Sequence, residues 1–255
     1  MTVSGASKNV KDSMENSIKP YQEDVMGKYF SQHYKDITYP VDSAVSRGLR
    51  NAQLGAIHAI ASFFTLNQNQ ASIVVMPTGA GKTAVLMLAP YLLSKDKVLV
   101  VTPSTMVRGQ IAEDFEKLLT LCKANVFNET MKKPYVFEMQ HKYDDSIVSE
   151  LDIADVIVAT PQCALSLSES EWAVRNITLV EVDEAHHTPA KTWQQILINL
   201  KYATHVLFTA TPFRLDRKEI VGDIIYDYPL SKAYSDGIFG EIQYVPVLGG
   251  ENRDI

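Results

Sequence analysis

The segment Met76-Pro77-Thr78-Gly79-Ala80-Gly81-Lys82-Thr83 joins an apolar, β-branched run to a run of helical character. Gly79 and Gly81 let the backbone fold tightly enough to aim N–H groups at phosphate oxygens, and the helix start that follows favours an anion. Lys82 can reach the β- and γ-phosphates of a nucleotide, and the Thr83 hydroxyl can hold Mg²⁺. The strict phosphate-loop pattern has Gly where Met76 stands. Further along, Ile177–Glu184 ends an apolar run with two adjacent carboxylates, followed by Ala185-His186-His187. Side chains alternate along a strand, so Asp183 and Glu184 point different ways at its tip. One can complete a Mg²⁺ shell while the other orients and deprotonates an attacking water. The chemistry these two segments predict together is hydrolysis of a nucleoside triphosphate. The histidine pair forms no zinc site, because no His-Glu-x-x-His is present and Cys163 lacks a partner at ligand spacing. Glu181 shares a strand face with Asp183 inside an otherwise apolar run. A buried unpaired carboxylate is costly, so a basic partner or an opening to solvent is expected there.

Such residues need a scaffold that brings them together. Short β-branched runs occur at Ser72–Pro77, Lys97–Pro103, Asp155–Pro161, Ile177–Glu184 and His205–Pro212, each apolar almost throughout. Helical stretches lie between them at Thr83–Leu93, Thr105–Leu119, Ser146–Leu151 and Ala190–Leu200. Runs apolar on both faces predict an α/β fold, a mostly parallel central sheet covered by helices on both sides. In such sheets ligands bind outside the carboxyl ends of the strands, where the phosphate loop and the acidic pair both fall. Residues 1 to 20 read as a loose polar tail, and the aromatics between Tyr21 and Pro40 as an accessory element on the main body.

The chain has 255 residues, 24 Lys plus Arg against 30 Asp plus Glu, and a net charge of −6. This excludes binding to nucleic acid by bulk charge, though not a local basic groove. The longest uncharged apolar stretch, Ala84–Leu93, contains Pro90 and is far short of the ~20 residues of a spanning helix. The first twenty residues carry no apolar core of a targeting peptide. Cys122 and Cys163 read as free thiols of a reducing compartment, and the expected location is cytoplasmic.

Taken in order, the motifs resemble the first RecA-like domain of a superfamily 2 helicase, over about Leu49 to Val247. Met76–Thr83 is similar to motif I, a P-loop, and Asp183-Glu184-Ala185-His186 to motif II of the DEAH type. Thr209-Ala210-Thr211-Pro212 resembles motif III. Val101-Thr102-Pro103-Ser104, with Arg108 and Gln110, is similar to motif Ia, and Ala159-Thr160-Pro161-Gln162 to motif Ib. Leu49-Arg50-Asn51-Ala52-Gln53, ahead of a helical run ending near Phe64, resembles the glutamine motif, with Ala52 where this branch usually has an aromatic. Asp-Glu-Ala-His-His together with Thr-Ala-Thr-Pro-Phe-Arg points to the branch of restriction-enzyme translocating subunits and related DNA-repair helicases. Tyr228-Pro229-Leu230, Ala233 and Asp236-Gly237 resemble the stretch that leads out of domain 1 there.

The resemblance implies a RecA-like P-loop NTPase domain at residues 46–245, preceded by the tail and accessory element at 1–45. Residues 246–255 would begin a linker towards a second RecA-like domain, supplied in cis by a longer protein or by a partner subunit. The implied cofactors are ATP and Mg²⁺. Arg50, Gln53, Thr78, Gly79, Ala80, Gly81, Lys82 and Thr83 would bind the nucleotide, Thr83 and Asp183 the metal, and Glu184 would be the general base, with Lys82 and Asp183 beside it. His186, Thr209 and Thr211 would couple the ATP site to nucleic acid. Pro103, Ser104, Arg108, Thr160 and Pro161 would line the track of one strand's backbone, with DNA ahead of RNA and no membrane partner. Such contacts position a strand without reading its sequence. The implied activity is that of an ATP-dependent helicase or translocase, weak in this lobe alone. A nucleotide-switched interaction module in a multi-subunit complex, moving no strand, is the alternative.

Overall fold

A computed structural model describes residues 28–66, 70–185, 190–211 and 222–239. Seven strands, β1 (Ser72–Val75), β2 (Val98–Val101), β3 (Val136–Met139), β4 (Val156–Ala159), β5 (Leu179–Val182), β6 (Thr204–Thr209) and β7 (Asp223–Asp227), form one sheet in the order β3-β4-β2-β5-β6-β1-β7. Every pairing is parallel. Ahead of β1 lie α1 (Tyr29–His33) and α2 (Asn51–Leu66). The crossovers carry α3 (Lys82–Leu92), α4 (Thr105–Lys117), α5 (Leu119–Lys123), α6 (Val148–Ile153), α7 (Pro161–Ser168), α8 (Glu171–Asn176) and α9 (Ala190–Asn199), and α10 (Leu230–Ser235) follows β7.

The two-residue alternation of side chains divides the core in two. Val74, Met76, Val100, Val158, Leu179 and Phe208 face one layer with α1 to α5, while Val75, Leu99, Val101, Ile157, Val182 and Leu207 face α6 to α9. The expected α/β fold with helices on both faces is what forms, and the sheet is wholly parallel among the described strands. The five expected strands are β1, β2, β4, β5 and β6. The two edge strands were not expected. β3 is half-buried and broken by Glu138, and β7 is largely exposed, so neither shows the continuous apolar run of an interior strand. The expected helix at 105–119 ends early because Leu118 takes a left-handed turn, φ 52°, separating α4 from α5. Among the described residues no helix is long and apolar enough to cross a membrane.

From Tyr29 on, the aromatic segment packs against α3, whereas the expected tail at 1–20 and the start of the accessory element lie outside the described residues. Phe30 is fully buried and meets Tyr91 of α3 edge-on at 4.7 Å, and the Tyr29 hydroxyl donates to the Lys132 carbonyl at 2.6 Å.

Two buried polar groups away from the strand ends carry consequences for stability. Lys97, at the entry to β2 and 8% exposed, donates to the carbonyls of Leu151, Asp152 and Ala154 at 2.9, 2.7 and 2.6 Å. It thereby satisfies the open end of α6, where carbonyls lack helical partners and a cation is favoured. Lys97→Met strips these carbonyls of their donor and is expected to cost about 2–4 kcal/mol in urea unfolding.

His205 on β6 is buried with Nε2 unpartnered, and burial pushes its pKa down to about 4 from 6.5. The unfolded chain therefore binds the proton first as pH falls. Stability from this residue is complete above about pH 6.5 and is lost on the way down towards pH 4. Between pH 7.5 and 4.5 the loss should reach about 2–3 kcal/mol, and His205→Leu should flatten that part of the stability profile.

Candidate functional site

The carboxyl ends of β4, β2, β5, β6 and β1 stand side by side, so the segments that follow them share one edge of the sheet. In that order the edge carries Thr160, Pro103 and Ser104, Asp183 and Glu184, Thr209 to Thr211, and the loop from Met76 to Thr83. Segments scattered over more than 130 residues are thus brought into one row by the topology.

Met76 extends β1, its N–H donating to the Thr209 carbonyl at 2.9 Å, and its side chain is fully buried beneath α3. A core-filling residue therefore replaces glycine where the loop still follows the strand. The turn itself needs its two glycines, which take φ values of 85° at Gly79 and 90° at Gly81. Gly81 is constrained twice, since a β-carbon there would lie 2.3 Å from Gln53 Nε2. Lys82 opens α3 with its ammonium 2.8 Å from Glu184 Oε1 and 3.4 Å from the Met76 carbonyl. Glu184 adopts φ 51°, a left-handed conformation uncommon for a residue with a side chain, of the kind held at functional turns.

Asp183 and Thr83 line one cavity of about 490 Å³ between the loop and α4. Burial, with the Glu184 charge added, pushes the Asp183 carboxyl up to about 6, against the pull of Lys82. A carboxylate and a hydroxyl are the hard oxygen donors that Mg²⁺ takes, and a cation there would restore the charged carboxylate. The donor set fits the ion.

Glu181 departs from expectation. It is fully buried between Val100 and Val206, and neither carboxyl oxygen has a hydrogen-bond partner. Among the described residues there is no basic partner and no opening to solvent, and burial raises its pKa well above the ordinary value, the nearby Asp183 adding to the shift. The carboxyl lies in the apolar layer on the side of α3, where burial favours its protonated form. Glu181→Leu removes an unsatisfied polar group at similar volume, and should raise stability by about 1–2 kcal/mol, or roughly 2–8 °C in melting temperature.

Gln53 is the third residue of α2 and closes a capping arrangement, its Oε1 accepting from the Arg50 N–H at 2.8 Å. Its Nε2 donates to the Gly81 carbonyl at 3.2 Å, so the amide ties α2 to the phosphate loop. Arg50 Nη1 donates to the Gly79 carbonyl at 3.0 Å. Thr78 and Gly79 are exposed on the loop, and Ala80 is buried.

On the expected strand track, Ser104 caps α4, accepting from the Val107 N–H, and is exposed; Thr160 caps α7, whose first residue is Pro161. Two helix N-termini therefore open beside each other, a setting that suits phosphate. Arg108 does not join them. Its guanidinium is buried, with Nε 2.8 Å from Glu138 Oε1 and Nη1 3.1 Å from the Met139 carbonyl. In this position the arginine braces α4 against edge strand β3. Thr209 is buried and exchanges hydrogen bonds with the backbone of Thr211, shaping the turn after β6. His186 lies outside the described residues.

Sequence reasoning missed the group formed by Asn51, Tyr228 and Asp236. The Asp236 carboxylate accepts from the Tyr228 hydroxyl, from Lys232 at 2.9 Å and from Asn51 at 3.3 Å. These contacts hold its pKa down to about 2, the Tyr228 hydrogen bond most of all. No local pattern marks Asn51 and Asp236 as neighbours, since 185 residues separate them.

The family model described as "Type III restriction enzyme, res subunit" matches residues 46–214. A protein that bears a helicase name, from Sulfolobus islandicus filamentous virus (isolate Iceland/Hveragerdi), is 26% identical over 188 residues, covering 68% of this chain and 29% of that protein. The chain thus spans less than a third of that relative's length. Among solved structures, the Type ISP restriction-modification enzyme LlaGI, in complex with a DNA substrate mimic, is similar with a TM-score of 0.54 at 19% identity, over 75% of this chain and 21% of the other. The ATP-dependent Type ISP restriction-modification enzyme LlaBIII bound to DNA is similar with a TM-score of 0.51 at 20% identity, over 75% and 16%. At these identities the likeness is one of fold.

Proposed function

The chain belongs to the family of the type III restriction enzyme res subunit, and from that premise we propose that it is the ATP-binding first RecA-like lobe of a nucleic-acid-dependent ATPase. The observation that carries the reading is the pairing of Lys82 with Glu184 at 2.8 Å across the phosphate loop. It puts a phosphate-binding cation, a general base and a metal-binding carboxylate within one side chain's reach. Asp183-Glu184-Ala185-His186 reads as a motif II of DEAH type.

Arriving phosphates draw the Lys82 ammonium away from Glu184, so the base is released only when substrate is present. Backbone N–H groups from Gly79 to Thr83 surround the β- and γ-phosphates, with the α3 N-terminus behind them. Thr83 and Asp183 would hold Mg²⁺, which would neutralise charge developing on the phosphates. Glu184 takes the proton of the water that attacks the γ-phosphorus. The turn from Thr209 to Thr211 lies between the acidic pair and the phosphate loop, and the row of Ser104, Thr160 and Pro161, on the far side of the acidic pair, grips the sugar-phosphate backbone of a strand.

A second RecA-like lobe supplies the arginines that such phosphoryl transfers use, a contribution of about 10³–10⁵ in rate. Hydrolysis by this lobe alone is correspondingly slow. DNA is proposed ahead of RNA as the substrate, a reading supported by the printed titles of LlaGI and LlaBIII, which name DNA.

The test is ATP hydrolysis by the longer protein, measured with single-stranded and double-stranded DNA and RNA. Stimulation by one polymer, falling steeply with added salt as phosphate contacts do, is the expected result. A flat, unstimulated rate with every polymer would refute the motor reading in favour of a nucleotide-switched interaction module.

A further inference from the structure

Arg108 stands in the stripe that α4 turns towards the sheet. With Ala112 and Phe115 it occupies buried positions i, i+4 and i+7 of that helix, and it is 8% exposed. The stability of α4 does not call for arginine there. A cation near the start of a helix opposes the helix dipole, and a buried ion pair stabilises a fold no better than apolar side chains of similar volume. What the guanidinium supplies is direction. Its planar fork reaches Glu138 Oε1 from Nε at 2.8 Å and the Met139 carbonyl from Nη1 at 3.1 Å, so both contacts fall on the last two residues of β3.

Those two residues lead to the strand row. Met139 is paired with Ala159, whose carbonyl accepts from the Thr102 N–H at 2.9 Å. Thr160 follows Ala159 directly, and Ser104 lies two residues after Thr102. The start of α4 is thus tied to the start of α7 through the end of β2 and again through Arg108. On its other side α4 borders the cavity of about 490 Å³ with Val107, Gln110 and Ile111, so close packing does not hold it from there.

We propose that Arg108 is a positioning residue for strand binding. Its fork to β3 holds the first turn of α4 in line with that of α7, so that Ser104 and Thr160 meet one backbone together, while the arginine itself stays off the strand. The proposal rests on the reading of Ser104, Thr160 and Pro161 as a grip on a nucleic-acid backbone. A direct and a positioning role differ in sign at Glu138. If the guanidinium touched phosphate, Glu138 would hold it back, and removing the carboxylate would tighten binding. If the guanidinium positions α4, removing the carboxylate loosens the row.

The experiment is equilibrium binding of fluorescent oligodeoxythymidine, oligouridine and a DNA duplex to the longer protein and to its Glu138→Val, Arg108→Met and doubly substituted forms, over a range of salt. Valine suits the strand that Glu138 occupies. Glu138→Val should weaken binding of the best-bound polymer about tenfold, the scale on which a residue acting through packed neighbours alters a contact elsewhere. The double variant should bind as weakly as either single one, yet melt no lower than the unaltered protein, because no charge is left without its partner. A role confined to stability would not separate these two measurements. The dependence of affinity on salt should keep its slope throughout, since Ser104 and Thr160 carry no charge. Tighter binding in Glu138→Val, a slope lower by about one in Arg108→Met, or unaltered binding in the double variant would overturn the proposal. If the unaltered protein binds none of the three polymers, the strand row itself falls, and this proposal with it.

Discussion

Replacing Glu184 by Gln will lower ATP hydrolysis by the longer protein about 10³-fold while Mg-ATP binds at least as tightly as before. The size of the first effect is that of removing a positioned general base, typically 10²–10⁴. The second follows from the resting geometry. Lys82 is held by Glu184 at 2.8 Å, so binding must first break an ion pair. Glutamine keeps the shape but weakens that pair, leaving the ammonium more available to phosphate. Steady-state hydrolysis against a fluorescent-nucleotide titration separates the two. Equal losses in rate and affinity would mean that Glu184 acts on the loop's structure and not on the water.

Lys82→Ala has the larger effect on binding. It deletes the one side-chain cation on the phosphate loop, and affinity for Mg-ATP should fall at least ~100-fold, with hydrolysis undetectable. The same change leaves Glu184 and Asp183 adjacent with their cation gone, and both are partly buried. Melting temperature of the nucleotide-free chain should therefore drop as well. Adding Glu184→Gln to Lys82→Ala should recover most of the melting temperature and none of the binding, a coupling that a double-mutant cycle resolves. Additive losses in stability would show that the pair is only a surface contact.

How far these residues were readable in advance depended on burial and chain distance. Interior strands announced themselves because both faces are covered, and β1, β2, β4, β5 and β6 each read as an apolar run. β3 and β7 did not, since an edge strand keeps one side to solvent and mixes Glu138 or Asp223 into its pattern. The phosphate loop and the acidic pair were legible because their chemistry is local: glycines, lysine and threonine within eight residues, or two carboxylates in sequence. The ion pair of Arg108 was not legible, because its partner Glu138 stands on another strand and only folding brings the two together. Glu181 misled through energetics, the expectation being that a strand would not bury an unpaired acid. The Asn51–Asp236 contact had no signal at all, because only folding brings the start of α2 beside the end of α10.

Every role proposed for these residues depends on the loop at Met76–Thr83 holding a metal nucleotide. Isothermal titration of the chain with a slowly hydrolysed ATP analogue, with and without Mg²⁺, tests this. The expected result is one binding site per chain that weakens without Mg²⁺ and vanishes in Lys82→Ala. Binding that neither magnesium nor Lys82 affects, or no binding at any attainable concentration, would contradict it.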